Sequence, residues 1–263
     1  MSIINNVFAF DIETVPDVEF GRRLHGLETL TDKQVGYVMH TRQREQTGNE
    51  FLSLEQQRIV AISIAMRSRD GFKVWSLGEP DSPEEELVRR FFDGIERLAP
   101  TLVSWNGAGF DLPVLHYRAL RHKVQAHRYW EMGDMDQSYK WNNYISRFHW
   151  RHVDLMDVLS GFQGRGRVGL DQMSQLLGFP GKLGMSGEDV WDAHLQGRSE
   201  DIRNYCETDV VNTYLIYLRF ELMRGRLTHE EHEREVEIVR AGLAVADKPH
   251  LRGYLDAWAK CGS

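Results

Sequence analysis

The sequence has little cysteine, and its apolar stretches are short. The two cysteines, Cys206 and Cys261, are far apart and lack the spacing of a structural zinc site, and nothing indicates a secreted disulfide framework. No apolar run is long enough to cross a bilayer, and the N-terminal segment lacks the basic region, apolar region and cleavage site of a signal peptide. We therefore expect a cytoplasmic protein that is not embedded in a membrane.

An excess of basic residues is also missing. Lys and Arg number 32 against 39 Asp and Glu, so the net charge is −7 at pH 7. This balance argues against a protein that coats nucleic acid through many phosphate contacts. With 263 residues, of which 41% are hydrophobic, the chain is long enough to bury a sizeable core as one domain with elaborations.

Hydrophobic patterning predicts an α/β protein. The first segments are a strand over residues 3–10, a helical excursion over 18–57, a hairpin over 58–66 and 72–77, a capped helix to residue 98, a strand over 101–105 and a helix to residue 121. Strands and helices in this order predict a mixed sheet with helices on its faces.

The second half of the sequence predicts mostly helix. Residues 123–170 have no clear pattern, apart from a helix start within 153–159 and a glycine- and arginine-rich loop over 161–169. Further helices are predicted over residues 170–178, after Ser186, over 199–223, from Thr228 to about 245 and over 249–260.

Two carboxylates follow the first predicted strand. Asp11 and Glu13 are separated by one residue, so their side chains point to the same side of an extended chain. Two like charges at the end of a buried strand repel each other unless a cation lies between them, which favours a divalent metal site. The alternative is a solvated strand end, because this triplet is frequent.

A second group of polar residues lies between the short strand at 101–105 and the next helix. In the segment Trp-Asn-Gly-Ala-Gly-Phe-Asp at residues 105–111, two glycines permit a tight turn. Asp111 would then lie at the start of the helix, near the positive end of its dipole. The alternative is an ordinary helix-capping aspartate.

A third group lies on the long helix predicted at 199–223. Tyr205 and Asp209 are four residues apart and therefore share one face, one turn from each other. A phenol and a carboxylate in this arrangement can hold a metal and orient a water molecule. The alternative is a core tyrosine beside a surface aspartate. Glu207 points elsewhere on this helix, and we assign it no function from the sequence.

The middle of the chain reverses the overall charge. Between residues 118 and 167 basic residues outnumber acidic ones, and histidines and aromatic residues lie among them. This mixture suits a single-stranded nucleic acid, with cations along the backbone and rings beneath the bases. Arg147 and Arg151 belong to the densest cluster and are the candidate strand-binding residues. The alternative is a solvated surface with scattered cations.

Three motifs in order carry a family resemblance. The segments FDIET, WNGAGFDLP and YCETD, within residues 8–209, resemble the three exonuclease motifs of the DnaQ-like 3′–5′ exonucleases, in the subgroup whose third motif is Y-x-x-x-D. The pattern is similar to the exonuclease domains of family B DNA polymerases, and more so to the predicted stand-alone exonucleases related to them. Each motif is weak alone, but the ordered set is specific.

The resemblance implies a ribonuclease H-like mixed sheet flanked by helices, with extra helices after the first strand and at the C-terminus. It implies an exonuclease domain over residues 1–225 and a helical extension over 226–263 packed on it. The four acidic metal-site residues would be Asp11, Glu13, Asp111 and Asp209. Tyr205 would position the attacking water, and Asn106 and Phe110 would lie near the substrate. This all-oxygen set suits two Mg²⁺ or Mn²⁺ ions.

The function expected from this resemblance is a metal-dependent 3′–5′ exonuclease that acts on single-stranded 3′ ends, of DNA rather than RNA. An exoribonuclease stays open, because no residue indicates how a 2′-hydroxyl would be received. An inactive binding module would have lost some of the acids, and a structural protein would show no dependence on divalent metal. No polymerase domain follows, so proofreading in cis is not expected. The sequence indicates no protein partner.

Overall fold

The computed structural model describes residues 6–261, which form a sheet of five strands with helices on both faces. The strands are β1 (Val7–Pro16), β2 (Gln57–Ser68), β3 (Gly71–Ser76), β4 (Thr101–Ser104) and β5 (His152–Asp154). The helices are α1 (Val18–His25), α2 (Asp32–Thr47), α3 (Glu84–Leu98), α4 (Asp111–His122), α5 (Leu155–Leu159), α6 (Leu170–Leu176), α7 (Val190–Leu195), α8 (Ser199–Met223), α9 (His229–Ala246) and α10 (Pro249–Cys261). Among these residues no helix has the length and apolar character that spanning a bilayer requires.

The sheet has the order β3-β2-β1-β4-β5, with β1 at its centre. β2 pairs antiparallel with β1 along its whole length, whereas β4 pairs parallel with β1 only from Val7 to Ala9. β5 pairs parallel with β4, so the carboxyl ends of these strands meet at one edge of the sheet. Because β4 is short, the second half of β1 is open on that side to residues from loops and helices.

Alternation along β1 decides which helices its side chains meet. Phe8 and Phe10 are at most 2% exposed and pack in the cluster that contains α3 and α4. Burial of each such ring contributes roughly 1.5–3 kcal/mol, so a slip of one residue in register would be costly. Ala9 packs with α8 on the other face. The irregularity in pairing comes only after Glu13, so Asp11 and Glu13 also face α8.

Helix α8 crosses the sheet beneath the acidic half of β1. Its residues are buried almost all round, because the sheet covers one side and α6, α9 and α10 pack against the others. A helix that is buried on nearly every side belongs to the interior of a protein. The side chains that α8 directs toward β1 are therefore held by packing on every side.

Two buried ion pairs that share Arg118 connect the helical segment after β1 to the rest of the protein. The guanidinium of Arg118, on α4, donates to the carboxylates of Asp17 and Glu84, and all three side chains are at most 5% exposed. Asp17 caps α1 by accepting from the backbone N–H of Phe20 at 2.9 Å. Glu84 accepts from the backbone N–H of Ile59 on β2 at 2.7 Å. Arg118 thus links α1, α3, α4 and β2.

The predicted α/β architecture is confirmed, with helices after the first strand and at the C-terminus. The helix predicted at residues 199–223 has the predicted bounds. Residues 3–5 of the first predicted strand lie outside the described residues. The predicted end of that strand at Phe10 was wrong, because β2 pairs with β1 as far as Pro16. Asp11 and Glu13 therefore lie within a strand.

The helix start predicted within residues 153–159 is present, because α5 begins at Leu155. The strand β5 just before it, His152–Asp154, was not predicted. A three-residue strand is too short to show a periodicity. The side-chain cap predicted for the helix that ends at Leu98 is absent from the described structure, since Pro83 occupies the N-cap position and makes no such hydrogen bond.

We expect Arg118→Ala to destabilise the protein by about 3–5 kcal/mol, because it removes the main counter-charge of two buried carboxylates. Only His122, 2.8 Å from Glu84, and Arg121, 3.8 Å from Asp17, remain beside them. Arg121→Ala is the matched control: its side chain is 29% exposed and pairs mainly with the exposed Glu19, so the loss should be below about 1 kcal/mol. Urea unfolding of both variants measures the difference. Equal free energies of unfolding would show that Arg118 does not fasten these elements.

Candidate active site

Two acids of the site come from β1. Asp11 is partly exposed and Glu13 is 8% exposed, and both project from the sheet toward α8. Burial raises the pKa of each carboxyl above its ordinary value, and neighbouring acids raise it further. Asp111, Glu13 and Asp209 act on Asp11 in this way. The strand therefore presents a carboxylate pair into a region that is already negative.

The third acid comes from the start of α4. Asp111 is 3% exposed, and its Oδ1 atom accepts a hydrogen bond of 3.1 Å from the backbone N–H of Ile12. This N–H is available because β4 ends before it reaches Ile12. Burial raises the pKa of Asp111 to about 7, despite this hydrogen bond. The hydrogen bond fixes Asp111 beside Asp11 and Glu13.

The fourth acid lies on α8. Asp209 is 4% exposed, and its Oδ1 atom is buried without a hydrogen-bond partner in the described structure. Burial raises the pKa of Asp209 to about 6, while Lys182 and the hydroxyl of Tyr205 act in the opposite direction. Tyr205 is one turn away and 4% exposed, and burial followed by the charge of Asp209 raises its pKa. The predicted pairing of Tyr205 with Asp209 on one face is present.

A cation beside the acids was missed by the sequence reasoning. The ammonium of Lys182 lies 5.4 Å from the ring centre of Tyr205, and its charge lowers the pKa of both Glu13 and Asp209. Its backbone N–H donates to Asp171 Oδ1 at 2.8 Å. Gly181 precedes it with a left-handed φ of +68°, and a Cβ there would clash with the same oxygen. No spacing pattern in the sequence indicated this lysine, because the contact of its backbone with the distant Asp171 sets its position.

A thiol also lies against the acids and was not predicted. Cys206 is fully buried, and its Sγ atom is 3.6 Å from Asp11 Oδ2. Oxygen atoms of Asp11 and Glu13 and the Sγ atom of Cys206 all lie within 4.8 Å of one another. The motif YCETD contained this residue, but its position next to Tyr205 gave no reason to direct it toward β1.

A chain of buried polar groups connects this region to the C-terminal helices. Ser63 on β2 is the pairing partner of Asp11 on β1. The hydroxyl oxygen of Ser63 lies 2.9 Å from the hydroxyl oxygen of Ser76. Ser76 donates to Glu207 Oε1 at 3.0 Å. Glu207 also accepts from Lys248 at 2.9 Å and is 2.8 Å from His250 Nε2. The sequence assigned Glu207 no function, whereas the structure places it where α8 meets the segment between α9 and α10.

The loop before α4 is shaped around a buried carboxylate. Asp154, at the end of β5, accepts from the backbone N–H groups of Asn106 at 3.0 Å and Ala108 at 2.9 Å. Asn106 has φ +67°, and a Cβ on Gly109 would lie 2.6 Å from its Oδ1 atom. That Oδ1 atom is buried without a hydrogen-bond partner in the described part of the chain. The loop thus positions Asn106 and Phe110 next to Asp111.

The two arginines predicted to bind substrate, Arg147 and Arg151, lie at opposite ends of β5. Arg147 donates to Asp157 at 2.7 Å, and its guanidinium lies 4.8 Å from the ring centre of Phe162. Asp157 follows β5, so Arg147 lies at the edge of the sheet where β4 and β5 end. Arg151 precedes β5 at the opposite end and lies 3.7 Å over the ring of the buried Tyr139. The structure brings Arg147, and not Arg151, toward the edge that holds the acids.

The chemistry of these donors fits divalent cations. Four carboxylates from β1, α4 and α8 act on one another through their charges, and one buried oxygen of Asp209 has no partner in the described structure. Buried carboxylates in such proximity are stable as anions only when cations balance them. Carboxylate oxygens suit hard ions such as Mg²⁺ and Mn²⁺.

Residues 49–258 match the model of a family described as a predicted 3′-5′ exonuclease related to the exonuclease domain of PolB. The chain belongs to this family. The match includes Asp111, Tyr205 and Asp209 but begins after β1, so it is the structure that adds Asp11 and Glu13 to the site. A comparison with curated proteins gave no match.

We expect Asp209→Asn to stabilise the metal-free protein at pH 8. The pKa of Asp209 is about 6 in the folded protein and 3.8 ordinarily, so the native state holds the extra proton between these values and stability falls as the pH rises through them. At 1.36 kcal/mol per pKa unit the gain is about 2–3 kcal/mol at pH 8 and smaller at pH 5. Urea unfolding at both pH values measures it.

His116 and His152 also titrate, and because their pKa values are lowered to about 4 they favour the native state as the pH rises. Comparison of the variant with wild type cancels this contribution. Asp201→Asn, an exposed acid on the same helix, should change nothing. Mn²⁺ should raise the melting temperature of wild type more than that of Asp209→Asn. Equal stability of wild type and Asp209→Asn at pH 8 would contradict the repulsion inferred for the site.

Proposed function

We propose that this protein is a metal-dependent exonuclease that hydrolyses phosphodiester bonds from the 3′ end of single-stranded nucleic acid. Membership of a family of predicted 3′-5′ exonucleases supports the reaction. One structural observation carries the metal dependence: carboxylates from β1, α4 and α8 meet in one buried region, with an oxygen of Asp209 unpaired among the described residues.

Two divalent cations bound there would lower the pKa of the attacking water and stabilise the entering and leaving oxygens of an in-line displacement. Asp11 would be a ligand of the cations together with Glu13, Asp111 and Asp209, whose charges all act on it. Glu13 and Asp209 would hold the ion that activates the attacking water, and Asp111 would hold the other ion.

Tyr205 and Lys182 would act on the reacting groups. The hydroxyl of Tyr205 interacts with Asp209 and, with its raised pKa, keeps its proton and can hold a water molecule in line with the phosphorus. Lys182 carries a positive charge toward the same residues. Its ammonium would stabilise negative charge as it develops on the phosphate. A cleft of about 540 Å³ borders Tyr205 on the side of Leu183 and Met185.

The substrate proposed is the end of a single strand, DNA rather than RNA. Phe110 precedes Asp111, and its ring packs at 5.4 Å against Phe51, which is 58% exposed. Exposed aromatic rings beside an acidic centre suit the stacking of bases. Arg147 would contact the strand farther from the acids, because it lies near the ends of β4 and β5. The position of Arg151 gives it less access to the same strand.

We expect Asp11→Ala or Asp209→Ala to abolish degradation of end-labelled oligonucleotides while the protein stays folded. Each change removes a ligand of the proposed cations. The measurement is loss of nucleotides from the 3′ end with Mg²⁺ or Mn²⁺ and with chelator, on matched DNA and RNA strands. Faster degradation of RNA would identify an exoribonuclease. Undiminished hydrolysis by either purified variant would refute the assignment.

For Lys182→Met we expect slower degradation but tighter binding of Mn²⁺. Degradation should slow by about tenfold or more, because a charge that stabilises the transition state is lost. The Mn²⁺ concentration for half-maximal thermal stabilisation should fall, because Lys182 no longer competes for Glu13 and Asp209. Lys73→Met, on the exposed side of β3, is the control. If Lys182 had only a structural role, its substitution would lower stability and leave the Mn²⁺ concentration for half-maximal thermal stabilisation unchanged.

A further inference from the structure

Cys206 places a sulfur atom where the carboxylates of β1 meet α8. Its Sγ atom is 3.6 Å from Asp11 Oδ2 and 3.5 Å from the carbonyl oxygen of Asp11. With an oxygen of Glu13 it forms a set of three ligand atoms within 4.8 Å of one another. Two of the three are hard oxygen donors and one is a soft sulfur donor.

The separation of Sγ of Cys206 from Oδ2 of Asp11 fits two ligands of one tetrahedral ion. With Zn–S of about 2.3 Å and Zn–O of about 2.0 Å, tetrahedral angles place sulfur and oxygen about 3.5 Å apart. The separation between Sγ of Cys206 and Oδ2 of Asp11 is 3.6 Å. Thiolate ligands select zinc and similarly soft ions, whereas Mg²⁺ prefers six oxygen ligands.

A second observation indicates that the region accepts a cation. The Oδ1 atom of Asp209 is buried without a hydrogen-bond partner among the described residues, and Asp209 is 4% exposed. Its charge acts on both Asp11 and Glu13. Asp209 lies three residues after Cys206, so the helix presents both side chains to neighbouring parts of the same region.

We propose that Asp11, Glu13 and Cys206 form a site for thiophilic divalent cations such as Zn²⁺ and Cd²⁺. On binding, the S–H bond of Cys206 breaks, its proton passes to the solvent buffer and the sulfur bonds to the ion; no oxidant is needed. An ion held in this way occupies the carboxylates of Asp11 and Glu13. Its consequence for activity rests on the proposed function: the ion would inhibit degradation that depends on Mg²⁺ or Mn²⁺.

The test uses the ultraviolet charge-transfer absorption that a thiolate gives when it binds Cd²⁺. Cys261, which is exposed, provides the matched comparison. In the Cys261→Ser protein only Cys206 remains, and we expect a saturable absorption band on titration with Cd²⁺. In the Cys206→Ser protein only Cys261 remains, and the band should be absent or need ~10-fold or more Cd²⁺.

A further variant keeps the thiol and removes a carboxylate. In the Cys261→Ser protein, Asp11→Asn should weaken Cd²⁺ binding by ~10-fold or more, with folding checked by circular dichroism. A Cd²⁺ band that survives Cys206→Ser, or an affinity unchanged by Asp11→Asn, would overturn the proposal. Absence of the band in the Cys261→Ser protein would mean that the thiol only hydrogen-bonds to Asp11.

This optical titration needs no nucleic acid, so it fails independently of the exonuclease assignment. If Mg²⁺-dependent degradation is found without a Cd²⁺ band, only the thiophilic site is refuted. If the band is found without degradation, the thiophilic site is supported and the exonuclease function is refuted. When both are present, Cd²⁺ should inhibit the Cys261→Ser protein at ~10-fold or more lower concentration than the Cys206→Ser protein, each relative to its own uninhibited rate.

Discussion

Repulsion among buried carboxylates is the constraint on which the structure depends. Asp11, Glu13, Asp111 and Asp209 are brought together by three separate pieces of backbone, and burial raises the pKa of each. Folding therefore has to supply enough stability elsewhere to keep them close. The aromatic residues packed under β1, among them Phe8 and Phe10, and the buried helix α8 supply this stability. Neither group can shift without exposing apolar side chains. A cation bound among them would remove the repulsion without any change in that packing.

The unequal lengths of the strands make the site possible. β2 pairs with β1 through Pro16, so the acidic half of β1 stays extended. β4 stops pairing at Ala9, which leaves room for the loop and the start of α4. The backbone N–H of Ile12 then meets Asp111 in place of a strand partner. A longer β4 would satisfy Ile12 through the sheet and would displace Asp111 from the other acids.

The sequence predicted the features that repeat or alternate and missed those that depend on distant contacts. Spacing of two on a strand and of four on a helix was enough to orient Glu13 beside Asp11 and Tyr205 beside Asp209. No local pattern could show that Lys182 reaches Tyr205, because Asp171 and the left-handed Gly181 set its position. The three residues of β5 were missed for a similar reason, since only their pairing with β4 makes them a strand.

Two acids on α8 differ in the hydrogen bonds that the fold gives them. Glu207 and Asp209 are two residues apart, and both are buried. Burial alone would raise the pKa of Glu207, but hydrogen bonds from His250 and Lys248 lower it, and Ser76 donates as well. Asp209 keeps an unpaired oxygen in the described structure and a raised pKa. The fold thus supplies donors to Glu207 but leaves an oxygen of Asp209 unpaired in the described structure, and a cation bound by the neighbouring acids would satisfy that oxygen.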